Sequence, residues 1–568
     1  MRLRTLLTGV VAVITIICSP AAPGALAQAS AYGREAMVAS VDRLATEVGI
    51  EILRAGGNAV DAAVAISFVL AVTHPQAGNL GGGGFMVVHL AGRGINATID
   101  YREAAPAAAG RDMYLDADGE PIPKASSFGY RACGVPGQVA GLALAHSRYG
   151  SLPWQRLVEP AIRLAEEGFE VGHHLARALQ WGHERFTSFP SSAAVFTRGG
   201  EPYRFGDRLV QSDLAWTLRR IAERGRDGFY GGEVARRIAA DMTTNGGLIT
   251  EEDLASYRAV EREPVVGAFR GYTIVGMGPP SSGGILLLQL LGMLESHDLR
   301  ALGHNSSRYI QLLTEAERLA YADRAHFLGD SDFYPVPVGH LISAEYIERR
   351  RQLINPYRAT PSGEIDHGPE PPAESEDTTH FSVVDRLGNA VACTTTLNSS
   401  FGSCVVAAGT GVLLNNEMDD FSIKPSVPNI YGLVGGEANA IAPGKRMLSS
   451  MTPTIVLRDG EIRLVAGSPG GSTIITTVLQ ILLNVLVHEL PLQRAVAAPR
   501  FHHQWLPDLT YVEPFGFAED VLENLGRMGH RVRIRTTIGD VHAIMRDEET
   551  GLLVGVSDPR RGGVARGY

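Results

Sequence analysis

Hydrophobic positions along this chain change period several times, and each change marks an element. Residues Arg43 to Ala55 carry apolar side chains at helical spacing. Gly56-Gly57-Asn58 interrupts them, and Ala59 to Val72 resumes as an almost wholly apolar run that predicts a buried helix. Four glycines, Gly81 to Gly84, then lead into a strand at Phe85 to His89. From about Pro153 to Arg350 the spacing is mostly helical, with amphipathic stretches such as Tyr309 to His326. A turn cluster, Gly278-Pro279-Pro280-Ser281-Ser282-Gly283-Gly284, breaks that region. Residues 359 to 376 hold four prolines, several acids and hardly an apolar side chain, which predicts an exposed flexible segment ending at Asp377. Alternation with period two then begins abruptly at Thr378 and runs to Asp385. Asp385-Arg386-Leu387-Gly388-Asn389 is a turn signal, and Ala390 to Asn398 reads as the returning strand. Pairing Arg386 with Asn389 would set Thr379 opposite Thr396 and Thr378 opposite Leu397, so Thr396 and Asn398 flank Thr378. Farther on, Gly467-Ser468-Pro469-Gly470-Gly471-Ser472 precedes an apolar helix from Thr473 to about Val487, too short and too polar-spotted to span a bilayer.

Composition adds limits. With 568 residues, 45% of them hydrophobic, the chain can build a large core, as one big domain or two closely packed halves. The net charge of -10 is spread without acidic or basic blocks, which excludes a nucleic-acid or polybasic membrane footprint. Arg2 and Arg4 precede an apolar run from Leu6 to Ile17, and Ala25-Leu26-Ala27 is a small-x-small cleavage site. Residues 1–27 therefore read as a secretory leader, the mature chain starts at Gln28, and the location is periplasmic or secreted. Removal of the leader leaves Cys133, Cys393 and Cys404, too few for a disulfide scaffold. Cys393 and Cys404 read as small buried side chains rather than a bonded pair.

The chemistry centres on the strand that opens with threonine. If the Asp377-Thr378 bond is cut, Thr378 gains a free α-amine beside its own hydroxyl, so nucleophile and general base occupy one residue. That amine has a reference pKa of roughly 7.7 to 8 and is substantially unprotonated near neutral pH. Gly470 and Gly471 are the second feature. Consecutive backbone N-H groups at the start of a helix can hold a developing oxyanion, although the same sequence also suits a plain tight turn. A phosphate is disfavoured, because no Lys-Ser or Lys-Thr pair follows. Gly81 to Gly84 follows a helix and precedes a strand, the reverse of the order a dinucleotide or P-loop site needs, so nucleotide binding is rejected. Arg102, Glu417, Asp420, Ser449 and Ser450 are further polar candidates. His502 and His503 point apart on a strand without a third ligand at metal-site spacing, so neither metal nor cofactor is expected.

Over nearly all of its mature length the sequence resembles the γ-glutamyltranspeptidases, members of the N-terminal nucleophile hydrolases. The resemblance rests on Gly56 to Ala63, Thr73 to Phe85, Asp377-Thr378-Thr379-His380, Leu448-Ser449-Ser450-Met451, Gly467 to Ser472, Pro499 to His503 and Ser557-Asp558-Pro559-Arg560. It implies an α/β, four-layer αββα sandwich. It also implies autocatalytic cleavage between Asp377 and Thr378, giving a large subunit (28–377) and a small one (378–568) that stay together as a heterodimer. Thr378 would attack the γ-carbonyl of a donor such as glutathione and pass the glutamyl group to water, an amino acid or a peptide. Thr396 matches the nucleophile's hydroxyl partner and Gly470 and Gly471 the oxyanion hole. Arg102, Ser449 and Ser450 match the carboxylate clamp, while Asn398, Glu417 and Asp420 match the ammonium side. Some bacterial relatives carry Gln where this chain has Glu417. Pro425 to Gly436, with Tyr431, resembles a lid over the glutamyl pocket. The alternatives are a cephalosporin (glutaryl) acylase, many of which lack such a lid, and a processed but inactive glutamyl-peptide binder.

Overall fold

Two seven-stranded antiparallel sheets lie face to face in the computed structural model, which describes residues 30–365, 378–425 and 427–568. The first sheet runs Val564–Gly567, Met37–Ser40, Thr379–Val384, Ala390–Thr396, Gly83–Leu90, Ile95–Asp100 and Val260–Arg262 across its width. The second runs Ala31–Gly33, Leu553–Ser557, His542–Arg546, Glu461–Ala466, Thr454–Arg458, Tyr272–Gly276 and Val265–Phe269. Between them sits a thin core that includes Met37, Ala39, Val384, Ala392, Ile455, Val465 and Ile544. A larger core covers the outer face of the first sheet with the helices Arg43–Arg54 and Ala59–Thr73, and another covers the second sheet with Gly283–Leu294, Ser307–Phe327 and Thr473–Leu486. The layers are helix, sheet, sheet, helix, the expected αββα sandwich.

Strand periodicity decides which face each residue serves. Phe381 and Val383 enter the helix-side core, whereas Val384 enters the core between the sheets. Thr378, an even number of residues from Val384, therefore faces the gap between the sheets, and by the same count so does Thr396 beside Ala390 and Ala392.

The hairpin register differs by one residue from the sequence reading. Asp385 N-H donates to Asn389 O at 3.0 Å and Gly388 N-H to Asp385 O at 3.0 Å, closing a three-residue loop with Gly388 at φ +78°. The Asp385 carboxylate causes the shift: Oδ1 accepts from Leu387 N-H and Asn389 N-H, and Oδ2 from Ala59 N-H at the start of the buried helix. Thr379 consequently pairs with Thr395, and one further step sets Thr378 opposite Thr396 instead of Leu397.

The segment expected to be exposed begins tethered, with buried and exposed residues interspersed. Ala359, Ser362 and Ile365 are all buried, Thr360 donates to Glu315, and Ser362 donates its backbone N-H to Asp508 and its hydroxyl to Trp505 O. A short apolar and hydroxyl-bearing stretch inside a proline-rich run finds partners that composition alone conceals. Residues 366–377, including Asp377, and the leader lie outside the described residues. Cys404 sits at a bend, and Cys133, Cys393 and Cys404 are buried free thiols. No helix among the described residues is long and apolar enough to cross a membrane.

Candidate active site

Thr378 precedes its strand by one residue, is 5% exposed, and donates its hydroxyl to Thr396 Oγ1 at 3.4 Å. Asn398 N-H donates to the same Thr396 oxygen at 2.7 Å, which fixes that hydroxyl's rotamer. Asn398 itself takes a left-handed φ of +77°, and its side-chain amide donates to Asn416 O at 3.0 Å. The return strand is braced from behind. Asn79 donates to Thr396 O at 2.8 Å and accepts Gly82 N-H at 2.9 Å. A Cβ on Gly82 or Gly84 would lie 2.2 or 2.4 Å from the carbonyl of Thr396 or Thr394, so this glycine run lets two backbones meet.

From the second sheet's side comes the glycine loop. Gly470 (φ +137°) and Gly471 (φ +53°) precede the helix Thr473–Leu486, and Gly470 O accepts from Thr473 N-H at 3.0 Å and from the Thr473 hydroxyl at 2.8 Å. Gly471 lines the same pocket as Thr378 and Thr396. A Cβ there would come within 2.5 Å of the Tyr431 ring, so glycine is required twice over, by conformation and by space. Tyr431 lies across the pocket, 3% exposed, its hydroxyl donating to Asn398 O at 2.5 Å. The free space left beneath it is about 20 Å³, room for one water molecule.

The far end of the pocket is a buried charge cluster. Arg102 meets Glu417 at 2.5 Å, Glu103 at 3.6 Å and Asp420, and donates Nε to Met447 O at 3.2 Å. Burial works against its charge, yet the three carboxylates outweigh burial and hold the guanidinium protonated. Burial also raises the carboxyls, against the opposing pull of Arg102: Glu103 up to about 8, Glu417 well above the carboxylate range, and Asp420 upward. Ser449 and Ser450 close the cluster. Ser449 O accepts Ser282 N-H and hydroxyl, both at 2.8 Å, so the turn cluster near Gly278 to Gly284 clamps the serine pair.

All the residues expected to act in catalysis or donor binding line this one pocket except Gly470, adjacent to Gly471, and Asp377, which lies outside the described residues. Sequence reasoning missed three supports. Arg324 donates to Ser450 Oγ at 3.2 Å and is brought down to about 10 by burial. Asn429 donates to Asp420 Oδ1 at 2.9 Å and accepts Tyr431 N-H at 2.9 Å, tying the Tyr431 loop to the charge cluster. Asn79 stands in the Thr73 to Phe85 stretch, where its company of glycines was the available signal. His502 and His503 are buried structural groups. His502 Nδ1 lies 2.8 Å from Thr476 Oγ1, and His503 Nε2 lies 3.2 Å from Asp508. Among the described residues no group of three potential metal ligands occurs.

Layering of this kind, with a threonine leading a central strand into the gap between the sheets, is that of the N-terminal nucleophile hydrolases. The family model described as Gamma-glutamyltranspeptidase matches residues 45–568. The chain is 52% identical to the glutathione hydrolase proenzyme of Escherichia coli (strain K12), over 93% of this chain and 90% of that one. Among solved structures it resembles a cephalosporin acylase from Bacillus halodurans (TM-score 0.85, 28% identity, 97% and 99% of the two chains). It also resembles the Helicobacter pylori gamma-glutamyltranspeptidase (TM-score 0.57, 49% identity, 58% and 94%). The chain belongs to the gamma-glutamyltranspeptidase family.

Proposed function

We propose that this protein is a secreted or periplasmic enzyme that cuts itself between Asp377 and Thr378 and then cleaves γ-glutamyl compounds, glutathione among them. The freed α-amine of Thr378 takes the proton from its own Oγ, which attacks the γ-carbonyl. Gly470 and Gly471 N-H groups receive the oxyanion, and Thr396 steadies the attacking hydroxyl. The amine returns the proton to the departing nitrogen, leaving a glutamyl ester on Thr378. Water or an acceptor amine then resolves the ester. Arg102, Ser449 and Ser450 hold the donor's α-carboxylate; Asn398, Glu417 and Asp420 hold its α-ammonium. Residues 28–377 and 378–568 remain together as two subunits of one sandwich.

The observation that carries this reading is the convergence on one pocket of a strand-leading threonine and a cluster with carboxylates in excess over its arginine. It also separates glutamyl from glutaryl donors. A glutaryl group has no ammonium to answer Glu417 and Asp420, so the likeness to a cephalosporin acylase supports the fold more than that substrate. The self-cleaved protein should release the chromophore of a γ-glutamyl anilide and leave a glutaryl-cephalosporin essentially untouched. Preference for the glutaryl compound would favour the acylase, and turnover of neither by cleaved protein would favour a binder.

The lid gives a second expectation. Tyr431→Phe removes the donor to the buried Asn398 carbonyl, a loss of about 1–3 kcal/mol. With self-cleavage intact, KM for the anilide should rise about tenfold, given that 1.4 kcal/mol is a factor of ten. An unchanged KM would show that the lid's closure does not contribute to donor binding.

A further inference from the structure

The loop across the donor pocket, Pro425 to Gly436, is held by two sets of contacts, and only one of them enters the chemistry above. In the first set Tyr431 donates its hydroxyl to Asn398 O, and Tyr431 O accepts from Gln504 Nε2 at 3.1 Å, both partners lying in residues 378–568. The second set comes from one stretch of residues 28–377, Arg111 to Ser126. That stretch folds back on itself. Ile122 N-H donates to Tyr114 O at 2.8 Å, Asp116 N-H donates to Glu120 O at 2.9 Å, and the Asp116 carboxylate accepts Asp118 N-H and Glu120 N-H. Tyr114 and Leu115 then pack with Met418, Phe421, Ile423 and Ile441 in a small core apart from those of the sandwich.

Fixed in this way, the stretch meets the loop at its two roots and at its middle. Arg111 donates Nη1 to Ser422 O at 3.2 Å and Ile423 O at 3.1 Å, just before the loop, and Nη2 to Glu437 at 2.8 Å, just after it. Lys424 answers at the first root, donating Nζ to Gly119 O at 3.0 Å and to Glu120 at 3.1 Å. In the middle the Ser126 hydroxyl donates to Asp419 Oδ1 at 2.6 Å, while Asp419 Oδ2 accepts the N-H of Ile430, next to Tyr431, at 2.9 Å. These contacts are not equal. The Glu437 side chain is 71% exposed, so its pairing with Arg111 is screened by water and worth little. Ser126 and Asp419 are buried, and hydrogen bonds to a carboxylate are stronger than neutral ones. Burial pushes the Asp419 carboxyl up to about 6, opposed first by the Ser126 hydroxyl and then by Ile430 N-H, so at pH 8 it is ionised and accepts from both.

We propose that Arg111 to Ser126 is a cradle through which the large subunit sets the closure of the loop, with Ser126 and Arg111 as positioning residues for donor binding. The proposal rests on the γ-glutamyl-transfer reading and on the loop as its lid. Ser126 acts through a relay: its hydroxyl aims the Asp419 carboxylate, the carboxylate holds Ile430 N-H, and Ile430 sets Tyr431 across the pocket. Neither Ser126 nor Arg111 lines the donor pocket. Loss of the cradle therefore lowers the closed fraction of the loop, which raises KM for the donor in proportion and leaves the chemical step on Thr378 unaltered. Scission before Thr378 turns every one of these bonds into a bond between two chains, so donor affinity becomes a property of the assembled pair.

The test uses the self-cleaved protein at pH 8, as parent and as Ser126→Ala, Arg111→Met and Glu437→Gln, and reads amide hydrogen exchange together with γ-glutamyl anilide kinetics. In Ser126→Ala the N-H groups of Ile430, Tyr431 and Leu433 should exchange about tenfold faster, while those of the helix Thr473–Leu486 keep the parent rate. KM for the anilide should rise about tenfold with kcat within about twofold of parent. Arg111→Met should shift both readouts the same way by a few-fold, and it carries the test should Ser126→Ala fail to cut itself. Glu437→Gln should match the parent. Because Ser126 and Tyr431 hold one loop, Ser126→Ala combined with Tyr431→Phe should raise KM by less than the product of the single rises. Loop exchange at the parent rate in both Ser126→Ala and Arg111→Met, faster exchange without a rise in KM, a fall in kcat matching the rise in KM, or fully multiplicative effects with Tyr431→Phe would overturn the cradle. A parent that releases no anilide would instead sink the functional reading, and hydrogen exchange would still judge the hold of Arg111 and Ser126 on the loop.

Discussion

Thr378→Ala should purify as one uncut chain with no detectable release of γ-glutamyl anilide, a loss on the order of a millionfold if the nucleophile acts as in other acyl-transfer enzymes. The variant removes both reactions together, because the hydroxyl proposed to cut the backbone is the one proposed to take the glutamyl group. Thr378→Ser keeps the hydroxyl and should cut itself and turn over more slowly. Thr396→Ala removes only the partner at 3.4 Å and should slow both reactions by much less than Thr378→Ala. Gel electrophoresis and anilide turnover read these outcomes directly. An uncut Thr378→Ala chain with appreciable turnover would dismiss the self-activating nucleophile, and a cut one would place scission under another group.

The sequence carried most of this because its signals were local. Period-two alternation from Thr378 to Asp385 and the glycine punctuation at Gly470-Gly471 are short-range patterns, and both survive in the structure. The register error at the hairpin shows where local reading stops. Asp385 chooses the loop by bonding to Leu387, Asn389 and the distant Ala59 N-H, and that last bond spans 326 positions of the sequence. Arg324 and Asn429 were invisible for the same reason. Each acts through a partner, Ser450 and Asp420, to which no spacing rule connects it. The turn at Gly278 to Gly284 reads as mere punctuation until the backbone of Ser449 is seen to lie against it.

Arg102→Met should be the most damaging change away from the nucleophile, and its damage should grow with pH. The guanidinium is the shared partner of Glu103, Glu417 and Asp420, and removing one member of a buried ion cluster costs about 3–5 kcal/mol. Glu103 sets the sign. Burial raises its folded pKa from 4.5 to about 8 even with Arg102 pulling it down, so between those values the folded state holds more protons than the unfolded one. Stability therefore falls as pH rises through that window, and losing the arginine extends the window upward. Thermal denaturation at pH 5 and at pH 8.5 should show a smaller deficit in the first case than in the second. A deficit equal at both would mean that Arg102 is missed for its packing rather than its charge. Adding Glu417→Gln to Arg102→Met should restore part of the stability at the higher pH, because one buried carboxyl that holds its proton in the folded state and loses it on unfolding is gone. It should restore no activity, since the donor's α-carboxylate still lacks its cation. Recovery of anilide turnover in that double variant would remove Arg102 from the proposed clamp.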